Sequence, residues 1–309
     1  MYILFLIIGL VLLYYGAEFL VRGSSTIAFS FGMKKIVVGL TVVALGTSMP
    51  EFVVSLSGAL NEVDNVSVGN IVGSNLANFL LVLGITCIIS PITTDKETVF
   101  VDLFVLIIIS FLFVFFCYDG MFRGTESIVL LTLFIFYIIH QVSNRKDENT
   151  SEVIEISKGN LFRNSLFTIA GIIGLVLGGK FTVIGAVDLA QKLSISNLTI
   201  GLTVVAIGTS LPELFTSVIA AVRHEHEISI GNLIGSNIFN ISFVLGIVPI
   251  ISPLKISPDI IKFDNWFMLG ITIFLAIIVM IRGKISRFFG FVLLLLYILF
   301  MLNLVYNFI

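Results

Sequence analysis

Charge, histidine and cysteine are all scarce in this sequence. Only 12% of its 309 residues are Asp, Glu, Lys or Arg, about half the 25% typical of a soluble domain. Such a chain cannot cover its own surface with polar groups. The two cysteines, Cys87 and Cys117, sit in apolar stretches with no Cys or His at metal-ligand spacing, which excludes a disulfide framework and a zinc site. The three histidines are His140, His224 and His226, and there is no Ser-His-Asp set or phosphate loop, so an enzyme has little to work with. A net charge of −2 without a basic stripe leaves no footprint for nucleic acid. The N-terminal MYILFLIIGLVLLYYG lacks a basic leader and a small-residue cleavage site, so it reads as a retained first span and not as a signal peptide.

What is abundant is apolar surface. Hydrophobic residues make up 58% of the chain, phenylalanine alone occurs 29 times, and mean hydropathy is +1.13. Lipid is the natural solvent. Stretches of roughly 20 apolar residues suffice to cross a bilayer, and ten are expected, at about 2–28, 36–59, 66–90, 99–118, 124–141, 161–189, 197–222, 228–251, 262–281 and 287–307. The fold class is therefore all-α integral membrane. A hydrophilic stretch over 143–160, with NRKDENTSE near its start, reads as a cytoplasmic linker. With the first terminus outside, eleven loop Lys and Arg residues fall in the cytoplasm and four outside. The positive-inside tendency then predicts a cell-membrane protein with both termini extracellular.

The sequence also repeats itself. GLTVVALGTSMPE at 39–51 returns as GLTVVAIGTSLPE at 201–213, and GNIVGSNLANFLLVLG at 69–84 returns as GNLIGSNIFNISFVLG at 231–246. Both share an offset of 162 residues, as do Ser90-Pro91 and Ser252-Pro253. Two five-helix halves, 1–142 and 161–309, follow. Five is odd, so the second half enters the membrane from the opposite side, the inverted-repeat plan of many secondary transporters.

Within the repeats, Glu51 and Glu213 lie inside apolar spans with no Lys or Arg at equivalent depth. An acidic group at a helix centre costs about 2.5–3.5 kcal/mol on insertion scales. A protonated, hydrogen-bonded glutamate is one way to carry that cost; a bound cation is the other, and symmetric recurrence favours the cation. Thr47 and Ser48 precede Glu51 by four and three residues, which places their hydroxyls on its helical face; Thr209, Ser210 and Glu213 repeat the spacing. Pro50 and Pro212 cannot donate to the carbonyls of Gly46 and Gly208, so a kink is expected there. The donors are all hard oxygens, suited to calcium, sodium or magnesium.

The second motif adds Ser74 and Asn78, with Ser236 and Asn240 as counterparts. Gly69, Gly73, Gly231 and Gly235 are expected to serve close helix packing, and Asn70, Asn75, Asn232 and Asn237 to cap or bridge helices. Glu18 aligns with Lys180, and both are expected to face water near helix ends. Asp102 and Asp119 read as interfacial. His224 to Glu227 reads as a solvated turn, with metal binding a minority alternative.

The paired GTSxPE and GNxxGSN segments resemble the two alpha repeats of the cation/calcium exchanger superfamily, in particular its prokaryotic sodium/calcium exchangers. The resemblance covers nearly the whole chain. It implies ten helices and antiport of Na+ against Ca2+, commonly three for one, with no cofactor and with a monomer as the functional unit. It implies ion ligands at Thr47, Ser48, Glu51, Ser74 and Asn78, at Thr209, Ser210, Glu213, Ser236 and Asn240, and at the backbone carbonyls of Ala44 and Ala206. It also implies that the first and sixth helices slide past the remaining bundle. Several relatives carry aspartate where this chain has Asn240, which leaves two acids in the site and argues against potassium co-transport. A proton/calcium antiporter of the same fold is the alternative, although its relatives typically carry Gly-Asn-x-x-Glu; a cation channel is a more distant one.

Overall fold

A computed structural model describes residues 2–144, 158–193, 206–258 and 260–307. Its long helices are α1 (Tyr2–Ser30), a bent pair α2 (Lys35–Thr47) and α3 (Met49–Leu60), α4 (Asp64–Ile89), α5 (Lys96–Phe116), α6 (Gly124–Asn144) and α7 (Lys158–Lys192). There follow α8 (Ala206–Thr209) with α9 (Leu211–Val222), then α10 (His226–Ile251), α11 (Ile260–Arg282) and α12 (Arg287–Asn307). Among the described residues eight helices are long and apolar enough to cross a membrane, or nine with the bent pair counted as one span. Apart from the seventh, the expected spans agree with these helices to within a few residues; the seventh is described only from Ala206 on, as two short helices. The linker core, 145–157, and the entry of the seventh expected span, 197–205, lie outside the described residues.

Burial sorts the helices. In α4 and α10, 78% of the most apolar window is covered by protein, against 22–50% in the other spans, so these two form the centre. The outer helices are apolar on both sides: α5 buries Val99, Leu103, Leu106 and Phe113 and turns Phe100, Phe104, Phe111 and Phe115 outward. A helix with no polar face has lipid as its second neighbour. Asp95 caps α5, accepting from the Thr98 hydroxyl at 2.6 Å and its amide at 3.2 Å. Those bonds, the hydroxyl's foremost, hold its carboxyl below the usual carboxylate range.

Four two-residue strands clasp the halves together at their loops. β1 (Ile92–Thr93) pairs antiparallel with β4 (Lys284–Ile285), and β2 (Met121–Phe122) with β3 (Leu254–Lys255). Each clasp joins one loop from either half of the chain.

Helices α1 and α7 pack along one another through a seam of glycines. Gly9, Gly16 and Gly23 recur every seven residues, as do Gly171, Gly178 and Gly185 at the 162-residue offset. A Cβ on Gly16 would stand 2.8 Å from the Leu175 amide nitrogen, and one on Gly171 would stand 2.5 Å from that of Leu20. The backbones touch, as small residues in membrane helices permit.

Two expectations are corrected here. Glu18 does not face water: it is buried, with Arg22 at 2.6 Å and Arg223 Nε at 2.7 Å, the latter tying α1 to the end of α9. Lys180, its aligned counterpart, is exposed within α7. Asp102 is not interfacial but fully buried, accepting from the Tyr137 hydroxyl at 3.0 Å and from Gln141 Nε2, both on α6. Burial of an acid in a lipid-facing helix is offset here by donors one helical turn apart. Asp119, by contrast, is exposed beside Arg123, and that hydrogen-bonded guanidinium lowers its pKa.

Candidate ion-binding site

The GTSxPE segment breaks its helix. Ser48 leaves helical geometry at φ −88°, ψ 7°, and α2 and α3 meet there at 46°. Ser210, at φ −87°, ψ 5°, does the same between α8 and α9. Pro50 and Pro212 sit in the first turn of the new helix, where a missing amide hydrogen costs nothing. The carbonyls of Gly46 and Gly208, four residues before each proline, have no amide to receive. The expected kink is thus a full break two residues later.

Thr47 and Ser48 make contacts with the other half of the chain. Ser48 Oγ donates to Glu213 Oε1 at 3.0 Å, and Thr47 Oγ1 lies 3.1 Å from Asn232 Oδ1 and 3.4 Å from Ser236 Oγ. The Ala44 carbonyl accepts from the Ser48 amide at 3.0 Å and from the Thr47 hydroxyl at 3.3 Å. The Ser74 hydroxyl flanks the Glu51 carboxyl without closing a hydrogen bond to it.

Both glutamates are fully buried. Glu51 Oε1 and Oε2, Glu213 Oε2, Asn78 Oδ1, Asn240 Oδ1 and the Ser210 hydroxyl are buried with no hydrogen-bond partner. A buried acceptor left unpaired costs about 1–3 kcal/mol, more when charged, so six in the two signature motifs mark a place built for something else. Oxygen donors of this kind are what calcium and sodium take, calcium with six to eight of them. Thr209 is buried at the end of α8, to which Ala206 also belongs.

Asparagines hold the frame, as expected of bridging residues. Asn70 Nδ2 donates to the Glu51 carbonyl at 3.1 Å and to Ser55 Oγ at 2.9 Å, and Asn232 repeats this with the Glu213 carbonyl at 3.5 Å and Ser217 Oγ at 3.0 Å. Asn78 and Asn240 sit in π-helical turns, Ala77–Val82 and Phe239–Val244, inside α4 and α10. These widened turns often mark functional positions, and the pattern of apolar residues gave no sign of them. Gly231 and Gly235 pack as expected, a Cβ on either meeting α2 backbone at 2.7–2.8 Å. Nothing among the described residues lies within 4 Å of a Cβ on Gly69 or Gly73.

Elsewhere, His224 and Glu225 lie in the turn before α10 and His226 and Glu227 begin that helix, with the acids engaged by protein: Glu225 with Lys35 at 2.8 Å and Ser25 at 3.0 Å, and Glu227 with the Ile36 amide at 3.2 Å. No group of three or more His, Cys, Asp or Glu placed to hold a metal occurs among the described residues.

Comparison with known proteins agrees with this geometry. The family model for the sodium/calcium exchanger protein matches residues 1–143 and 164–306. Sodium/calcium exchanger MaX1 of Methanosarcina acetivorans is 30% identical over 98% of both chains. Inner membrane protein YrbG of Escherichia coli K12 is 34% identical over 88% of this chain and 87% of its own. Among solved structures, the sodium-calcium exchanger NCX_Mj soaked with zero Na+ and Ca2+ superimposes with a TM-score of 0.87 at 34% identity, covering 98% of each chain. A multi-pass helical bundle, two glutamates among unpaired oxygens and a match over nearly the whole length lead to one conclusion: this chain belongs to the sodium/calcium exchanger family, the prokaryotic branch of the cation/calcium exchangers, and is a membrane antiporter and not an enzyme.

Proposed function

We propose that the chain exchanges Na+ for Ca2+ by alternating access, with about three Na+ for each Ca2+ and net movement of charge. The ions are cargo, held by the side chains of Thr47, Ser48, Glu51, Ser74, Asn78, Thr209, Ser210, Glu213, Ser236 and Asn240 and the carbonyls of Ala44 and Ala206. The observation that carries the reading is the set of buried, unpaired oxygens gathered from both halves around two acids. One Ca2+ neutralises the two carboxylates; three Na+ leave one positive charge over, so the sodium-loaded limb carries the charge.

Ten crossings in two inverted halves, 1–142 and 161–309 with a linker at 143–160, are supported by parity. Loops can pair only on the same side of the membrane, so an even number of crossings must separate them. Between β1 and β4 lie α5, α6, α7, α10 and α11, which is even only if the α8–α9 segment also crosses. The pairing of β2 with β3 makes the same demand. Lys35 with Glu225 then requires the α2–α3 pair to cross. Both termini lie outside on this reading, and the monomer is the working unit.

The test is uptake of Ca2+ into proteoliposomes. Uptake should require an outwardly directed Na+ gradient and disappear in Glu51→Gln and Glu213→Gln proteins that still elute as monodisperse peaks. Uptake driven by a proton gradient without Na+ would instead favour a proton-coupled exchanger, and passive flux without a counter-ion would favour a channel.

A further inference from the structure

We propose that Asn75 and Asn237 are positioning residues that decide which end of the Asn240 and Asn78 side chains faces the ion. The inference rests on the reading of the site given above and assigns a task to two residues outside its ligand set. A primary amide has an acceptor oxygen and a donor NH2 of nearly equal size, so shape alone does not choose between them. Only the oxygen end attracts a cation. A ligating asparagine therefore needs somewhere else to place its NH2.

The structure supplies that place from the opposite repeat. Asn240 Nδ2 donates to Asn75 Oδ1 at 3.1 Å, and Asn78 Nδ2 donates to Asn237 Oδ1 at 3.0 Å. In each case the remaining Oδ1 is buried and has no hydrogen-bond partner. The pairs are reciprocal: each ligating residue on one central helix is held by the asparagine three places earlier in the motif of the other. Asn75 and Asn237 are in turn fixed so that their own oxygens face these donors. Asn75 Nδ2 points to Met268 Sδ at 3.7 Å, and Asn237 Nδ2 to the Asn75 carbonyl at 3.5 Å. All four side chains are 0–1% exposed, so water does not supply a substitute acceptor. Without Asn75 Oδ1, the Asn240 amide loses the contact that keeps its NH2 away from the ion.

A double-mutant cycle on reconstituted full-length protein tests this, reading the half-saturating Ca2+ concentration and maximal rate of Na+-driven uptake separately. Asn75→Leu, matched in size but without an acceptor, should raise half-saturation about tenfold with the maximal rate changed less than about twofold. Adding Asn240→Leu should bring little beyond the larger single effect, because the same contact is already lost. Adding Asn78→Leu to Asn75→Leu should multiply the two effects to about a hundredfold, because that amide is held by Asn237. If Asn75→Leu does not fold, Asn75→Ser, which is polar but too short to reach, should give the same pattern of coupling. Effects that multiply in both pairs, or wild-type half-saturation in the single variant, would overturn the proposal while leaving exchange itself intact. Failure of wild-type Na+-driven uptake would instead reject the exchanger reading.

Discussion

The Ser48 hydroxyl donates to Glu213 at 3.0 Å, whereas its repeat counterpart, the Ser210 hydroxyl, is buried without a partner. Two segments of nearly identical sequence thus hold different contacts at the same moment.

The asymmetry predicts unequal costs. A hydrogen bond to a charged group contributes about 1.5–3 kcal/mol, so ion-free Ser48→Ala should melt a few degrees below ion-free Ser210→Ala. Equal melting temperatures would mean that the two serines hold the site alike in the resting protein.

The glycine seam makes a second prediction, about the helix pair and not the ion. Gly16→Val places side-chain atoms against the Leu175 amide and the Gly171 carbonyl, which are backbone and cannot rotate aside. Overpacking of this kind costs about 1–3 kcal/mol or more. Thermal denaturation in detergent should show a drop of several degrees, or no monodisperse protein at all. Gly270→Val on α11, which is exposed and has nothing within 4 Å of its Cβ among the described residues, should melt as wild type. Wild-type melting of Gly16→Val would show that α1 and α7 do not depend on the close approach.

The spans were legible because bilayer thickness converts directly into a count of apolar residues, and the site was legible because two acids recur at one offset in otherwise apolar text. Distant pairing was not. Glu18 finds Arg223 across 205 positions and Glu225 finds Lys35 across 190, separations that periodicity does not encode. Nor did spacing reveal that Ser48 donates to an acid of the opposite repeat, 165 positions away. One missed residue did carry a signal. Asp102 has Asp264 at the 162-residue offset, so its acid was repeated just as Glu51 was, and that repetition argues against a chance position at a span end.

Asn240 offers the sharpest electrical test. Asn240→Asp would place a third carboxylate in the site and remove the NH2 that Asn75 Oδ1 accepts from, obliging Asn75 to turn its own NH2 toward the new acid. With three acids, a bound Ca2+ leaves one negative charge and three Na+ leave none. The charge moved in a complete cycle is unchanged, but it passes from the sodium limb to the calcium limb. Exchange of Ca2+ for labelled Ca2+ isolates that limb, and each charge carried through the field is worth about 2.3 kcal/mol per 100 mV. Calcium self-exchange should be indifferent to membrane potential in the wild type and should respond to it in Asn240→Asp. Lowering the pH should erase the response as the added acid is protonated. A variant that stays indifferent at every pH would mean that residue 240 lies outside the charge of the ion site, and a wild type that already responds would mean that Glu51 and Glu213 do not both ionise around calcium.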